Sequence, residues 1–281
     1  MTHAYARMKE MSRQEISEHL NIGRPSDRSY EQAEGTMEMK IRGIAHRGDP
    51  VRFPENTLSA FQAACEMEFT HLELDVHLSK DGVPVLSHDF ALDRMTDGTG
   101  LIRDYTVEQL KRFRVKEIET IPTLEETMRL LKGKISVLVE LKQQGDYYPG
   151  LEEAVLEVLR STDTAGQSRI ISFDHFSVAR TRRLDKDIEL GMIASGSMPY
   201  VFPFMKEIRC GFLGIQLRFM TPEYARMMEE NGIQSGPWPI HTIEEMELIA
   251  KLYPTGLITT NYLERWADFY RSHSELHPEQ S

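Results

Sequence analysis

The chain has 281 residues, 40% of them hydrophobic, and carries 33 Lys and Arg against 44 Asp and Glu, a formal charge of −11. That length suits one large α/β barrel or two smaller domains, and the apolar content sustains a core, which excludes a compositionally disordered chain. An acidic surface repels nucleic acid and anionic membrane faces, which excludes binding driven by a phosphate backbone but leaves room for local phosphate recognition through a metal ion and a few basic side chains.

In chain order, residues 1–39 are polar and rich in Met and Glu, with Gly23, Pro25 and Gly35 as breakers. Ser12 with Glu15 forms a capping-box pattern, so a short helix near 12–20 is expected inside an otherwise loosely packed N-terminal extension. No apolar run in this stretch suits a leader, and none anywhere approaches the 18 or so residues of a membrane span, so the expectation is a soluble cytoplasmic protein with no integral membrane segment. Cys65 and Cys210 stand far apart and make no disulfide framework.

From Ile41 the pattern alternates between strand and helix. Strands are expected at 41–46, 71–77, 135–141, 169–173, 189–193, 212–217, 233–238 and 256–260. Helical patterns fall at 57–67, 123–132, 151–161, 175–184, 221–231 and 242–252, with a short helix in 195–210. Eight strands with intervening helices predict a TIM (β/α)8 barrel over 40–270, followed by a polar tail at 271–281. Val83 to Ser87 follows Leu78 across only Lys80-Asp81-Gly82, too short for a parallel crossover, so it returns as an antiparallel hairpin. The stretch at about 89–120, with a helical pattern from Thr106 to Phe113, is too long for a βα loop and reads as an insertion.

Strand parity isolates the chemistry. Residues i and i+2 face one way, so Leu72, Leu74 and Val76 face the helices while Glu73, Asp75 and His77 face inward. Two inward carboxylates repel one another unless Lys or Arg, or a hard divalent cation, stands between them. Glu140 and Lys142 share the inward parity of the 135–141 strand, giving a third carboxylate and a cation that offsets an anionic substrate. His46, Arg47 and Gly48 close the first strand, where barrel enzymes keep catalytic groups. Arg47 suits a phosphate, and Gly48 suits a tight turn beneath a ligand. His88, at the end of the hairpin, adds a second imidazole. Two histidines flanking a phosphate let one act as base while the other protonates the leaving alkoxide. Asn56 or Thr57 caps the first helix, with Glu55 and Asn56 as supporting residues, and His3, His273 and His277 are expected at the surface or the termini.

These residues resemble the glycerophosphodiester phosphodiesterase family. The resemblance rests on His46-Arg47-Gly48, Pro54-Glu55-Asn56-Thr57, Glu73-Leu74-Asp75-Val76, Lys80-Asp81-Gly82, His88-Asp89, Arg94-Met95-Thr96, Ile121-Pro122-Thr123-Leu124-Glu125-Glu126, Glu140-Leu141-Lys142 and Ser172-Phe173-Asp174, in family order over roughly 41–265. It implies a TIM barrel that hydrolyses a small-molecule glycerophosphodiester to glycerol 3-phosphate and an alcohol. It further implies His46 and His88 as the acid/base pair, Glu73, Asp75 and Glu140 as ligands of Mg²⁺ or Ca²⁺, and Arg47 and Lys142 as phosphate-binding residues. Trp238 is retained and suits packing on the substrate, whereas Trp238-Pro239-Ile240-His241 and Thr259-Thr260-Asn261-Tyr262 depart from the family's pattern at the far side of the pocket. Two alternatives stand beside this reading. One is a phospholipase D-like action on lysophospholipids, which needs a membrane-docking surface that the sequence does not display. The other is a non-catalytic barrel that binds phosphodiesters, which the full set of histidines and carboxylates speaks against.

Overall fold

In the computed structural model, which describes residues 40–277, the strand–helix rhythm begins at β1 (Ile41–His46); the N-terminal extension with its expected helix and His3 lies outside the described residues. It continues through α1 (Leu58–Glu66), β2 (Phe69–Leu78), β3 (Pro84–Leu86), α2 (Val107–Leu110), β4 (Arg114–Val115), β5 (Glu119–Thr120), α3 (Leu124–Leu131) and β6 (Ser136–Leu141). It then runs through α4 (Leu151–Ser161), β7 (Ser168–Ser172), α5 (His175–Leu184), β8 (Glu189–Ala194), α6 (Val201–Glu207) and β9 (Phe212–Gln216). The last elements are α7 (Pro222–Glu230), β10 (Gln234–Trp238), α8 (Ile243–Leu252), β11 (Thr259–Thr260) and α9 (Leu263–Ser272). Many of the helix starts are set by their caps. Thr57, Thr123, Asp174, Thr221 and Thr242 each accept from a backbone N–H of the following first turn, and Thr123 and Thr242 complete capping boxes with Glu126 and Glu245.

Eight parallel strands lie in the order β10-β9-β8-β7-β6-β2-β1-β11, with β3 antiparallel on β2. The two ends of this path meet where Leu257 N–H donates to Ser235 at 2.9 Å and Ile240 N–H donates to Thr259 at 2.8 Å, nearly closing a (β/α)8 barrel. Leu72, Leu74 and Val76 pack outward among the helices as parity requires. The barrel interior is filled by Ile44, Leu138, Ile171, Ile193, Phe212 and Leu257. Phe212 fits because its neighbours lack side chains: a Cβ at Gly191 or Gly236 would come within 2.7 or 2.2 Å of its ring.

Two expectations change. α9 is absent from the sequence reading, yet it buries Leu263, Trp266, Ala267 and Tyr270, an i, i+3, i+4, i+7 stripe. The boundary placed at 270 therefore falls inside a packed helix. Beyond it Leu276 is buried, His273 stacks on Phe269 at 3.8 Å, and His277 bonds the Tyr270 carbonyl at 2.8 Å. The helix expected over Thr106–Phe113 shrinks to the single turn α2, because the chain enters β4 at Arg114. This insertion has its own small core of Val85, Leu92, Ile102, Leu110, Val115 and Ile121.

Gly48 makes the tight turn expected of it, and that turn also packs closely on α1. Its φ is +83°, and an added Cβ would lie 2.6 Å from the Ala60 backbone. Gly48→Ala combines left-handed strain with a clash against α1, so it is expected to cost about 2–3 kcal/mol of stability by denaturant unfolding. An unchanged midpoint would refute this reading of the turn.

Candidate active site

The strand registers assemble the site. In β1 and β2, His46 lies beside Glu73; in β2 and β6, Asp75 lies beside Glu140. The β2–β3 hairpin pairs Val76 with Leu86, and Ser87 N–H donates to the Asp75 carbonyl, which delivers His88 to the same rim. His46, Arg47, Glu73, His88, Glu140, Lys142 and Trp238 line one cavity of about 350 Å³ at the C-terminal end of the barrel strands. Asp75 is fully buried and not part of that wall, but its carboxylate joins those of Glu73 and Glu140, with one oxygen from each lying within 4.8 Å of the others.

Part of the carboxylate charge is answered by the protein. Lys142 Nζ lies 2.8 Å from Asp75 Oδ1 and 2.6 Å from Glu140 Oε1, and Arg47 Nε lies 3.3 Å from Asp75 Oδ2. Burial opposes ionisation of Asp75, but Lys142 and Arg47 outweigh it and hold its carboxyl well below the usual range. Burial would depress Lys142, yet Asp75 and Glu140 raise it above its ordinary value. Among the described residues no Lys or Arg side chain makes a direct ion pair with Glu73, and Arg47 and Lys142 offset its charge only in part. Burial, then the charges of Asp75 and Glu140, push it well above the carboxylate range, and its Oε1 accepts no hydrogen bond. Burial likewise drives Glu140 up to about 7 in spite of Lys142.

The Lys and Arg partners therefore account for Asp75 but leave Glu73 only partly compensated. With every carboxyl ionised, as metal binding requires, Glu55, Glu73, Asp75, Asp89 and Glu140 face Arg47, Arg94 and Lys142, an excess of two negative charges. An all-oxygen donor set with that excess and an orphaned carboxylate oxygen fits a hard divalent cation.

Each histidine is held from behind. His46 Nδ1 lies 2.6 Å from Asn261 Oδ1, which leaves Nε2 toward Glu73 Oε2 at 3.7 Å. Burial, helped by the Arg47 charge, lowers its pKa to about 4, so the ring is neutral and able to accept a proton. His88 Nδ1 lies 2.7 Å from Asp89 Oδ1, a carboxylate that favours the imidazolium. Burial, with Lys142 and Arg47, lowers His88 more mildly against the pull of Asp75 and Asp89.

Several residues brace this centre. Asn56 Nδ2 donates to Asp75 Oδ2 at 2.7 Å, and Asn56 Oδ1 accepts from the Asp75 N–H at 3.2 Å. Arg47 and Asn56 both hold left-handed φ values, 60° and 58°, at the two ends of a loop closed by Asn56 N–H to the Arg47 carbonyl. Such strain in non-glycine residues is sustained where surrounding bonds over-determine it. Glu55 joins Arg47 to Arg94, and Arg94 reaches Asp89, linking the loop to the mount of His88. His77 is buried, bonds Tyr148 OH at 2.9 Å and lies 3.3 Å from the His88 carbonyl; it is a support for the hairpin end.

Trp238 sits on the opposite wall with its ring 5.7 Å from Phe173, edge to face. Asn261, Phe173 and His241 were not singled out as site residues from the sequence. Asn261 and Phe173 were within reach of parity, being two positions beyond the inward-facing Thr259 and Ile171, whereas the place of His241 depends on a loop path.

The chain is similar to several known proteins. A glycerophosphodiester phosphodiesterase from Caldanaerobacter subterraneus is 33% identical over 231 residues, covering 79% of this chain and 94% of its own. The murine glycerophosphodiester phosphodiesterase 1 is 28% identical, with 82% and 81% covered. An Oleispira antarctica phosphodiesterase, solved with its product sn-glycerol-3-phosphate, superposes with a TM-score of 0.75 at 28% identity, covering 82% of this chain and 96% of that one. The Thermotoga maritima glycerophosphodiester phosphodiesterase gives a TM-score of 0.68 at 26% identity, covering 82% of this chain and 99% of that one. The profile of the Glycerophosphoryl diester phosphodiesterase family matches residues 46–263, so this chain belongs to that family and is a phosphoric diester hydrolase of the glycerophosphodiester class.

Proposed function

We propose that this protein hydrolyses glycerophosphodiesters to glycerol 3-phosphate and an alcohol with the aid of Mg²⁺ or Ca²⁺. The observation that carries the reading is the convergence of two separately braced imidazoles with Glu73 and Glu140 on one cavity, the buried Asp75 carboxylate clustering with those two. Glu73, Asp75 and Glu140 are the residues that would hold the cation, which when bound supplies neutralisation of the charge on the phosphoryl oxygens. Arg47 and Lys142 bind and orient the phosphate. His46, neutral and backed by the Asn261 amide, takes the proton of the attacking water as the new P–O bond forms. His88, backed by Asp89, gives its Nε2 proton to the alcohol oxygen as the old P–O bond breaks. The histidines thus end in exchanged protonation states and reset through solvent. Trp238 packs on the carbon skeleton.

The test is the identity of the products from glycerophosphocholine. Glycerol 3-phosphate and choline are expected. Glycerol and phosphocholine would show cleavage at the other ester bond, and faster turnover of lysophosphatidylcholine would favour the lipid-directed alternative.

A further inference from the structure

Among the described residues ten large hydrophobic side chains are exposed, and six of them gather at one end of the molecule. Val51, Phe173, Phe176, Tyr200, Ile243 and Tyr262 stand in βα loops or at the start of the helix that follows, at the C-terminal end of the barrel strands where the catalytic cavity opens. Their loops follow β1, β7, β8, β10 and β11, which together with the loop after β9 succeed one another around the rim. Phe176 is 78% exposed and Tyr200 91%. Scattered apolar residues on a surface are ordinary, but aromatic side chains concentrated on one face mark a contact surface. No amphipathic stretch of sequence announces this face, because each loop contributes only one or two of its residues.

The same rim carries arginines set on aromatic rings. Arg218, in the loop after β9, lies 5.0 Å from the centroid of Phe219, and Arg265, at the start of α9, lies 4.4 Å from that of Tyr262. Both are exposed, and among the described residues neither forms an ion pair with a carboxylate. An aromatic ring beside a guanidinium suits a boundary between water and hydrocarbon, where the ring enters the apolar side and the charge stays with the phosphates. Glu244 and Glu264 stand exposed at the starts of α8 and α9, so the face as a whole is not cationic, and the chain carries −11. A lipid surface without net charge fits this balance better than an anionic one.

We infer that the catalytic face of the barrel docks on a zwitterionic lipid surface, with Phe176 and Tyr200 entering the head-group boundary and Arg218 and Arg265 meeting lipid phosphates. Docking sets the mouth of the cavity against that surface. Glycerophosphodiesters are phospholipids without their acyl chains, so deacylation at a lipid surface is the class of reaction that supplies such substrates there. Docking is measured without turnover and so stands apart from the metal and histidine assignments. The test is sedimentation of the full-length protein with phosphatidylcholine vesicles at low and high salt. Wild type is expected to partition onto them at both, because apolar insertion is not screened. The double variant Phe176→Ser/Tyr200→Ser should lose about 10–100-fold in partitioning, and Arg218→Glu/Arg265→Glu about tenfold, with unchanged circular-dichroism melts. No binding by wild type, binding that the aromatic double variant retains, or binding confined to anionic vesicles and abolished by salt overturns the docking surface. Concentration-dependent dimerisation that the aromatic double variant abolishes, without vesicle binding, overturns it in favour of a second copy of this chain.

Discussion

Replacing His46 or His88 by alanine is expected to lower kcat by about 10²–10⁴-fold, the contribution of a positioned proton-transfer group. The two losses have different structural contexts. His88 is partly exposed, and its removal frees Asp89 to remain paired with Arg94, so the fold is left intact. His46 is more enclosed and its removal leaves Asn261 without its imidazole partner, so its circular-dichroism melt is the necessary control. KM should change far less than kcat in both variants, because Arg47 and Lys142 remain in place to hold the phosphate. Steady-state kinetics on glycerophosphocholine separates these parameters, and a near-normal kcat in either variant removes that histidine from the mechanism.

The second large effect is on stability. Among the described residues Glu73 makes no direct ion pair with Lys or Arg, and it lies beside Asp75 and Glu140. A divalent ion that binds the folded chain alone stabilises it by about 2.7 kcal/mol at 100 times its dissociation constant. For a barrel of this size that corresponds to a rise in Tm of about 5–10 °C. Glu73→Gln is expected to abolish the rise. It should leave the metal-free protein close to the wild type in stability, because burial and two like-charged neighbours already favour the protonated acid at Glu73, whose shape the Gln amide reproduces. Differential scanning fluorimetry with Mg²⁺ and with Ca²⁺ measures both effects. Equal metal-induced shifts in wild type and variant would mean that Glu73 holds no ion.

Much of the architecture was legible because it follows from periodicity. The eight barrel strands and the helices between them alternate in a way that one sequence displays, and the span from Leu78 to Val83 allows only a hairpin. The carboxylates were legible for the same reason, since two-residue parity fixes which side of β2 and β6 a side chain takes. α9 carried a readable apolar stripe at Leu263, Trp266, Ala267 and Tyr270, but the polar residues after it obscured it. The tight turn at Gly48 was legible, but its close neighbour, the Ala60 backbone, was not, because it belongs to a helix whose approach no local pattern specifies. The same holds for the mounts of the two histidines. Asn261 lies 215 positions from His46 and meets it only because β11 closes the barrel against β1. The Glu55–Arg94–Asp89 chain likewise depends on how the insertion folds back over the first loop. Parity indicates which way a residue points, whereas the partner it meets is set by tertiary packing.

The most direct measurement of the central claim is hydrolysis of glycerophosphocholine by purified enzyme stripped with EDTA and then given Mg²⁺ or Ca²⁺. The account predicts that release of glycerol 3-phosphate stops on stripping and returns with at least one of the two ions. Undiminished turnover in the thoroughly stripped enzyme would contradict it, and would reduce Glu73, Asp75 and Glu140 to a buried ion-pair cluster around Lys142.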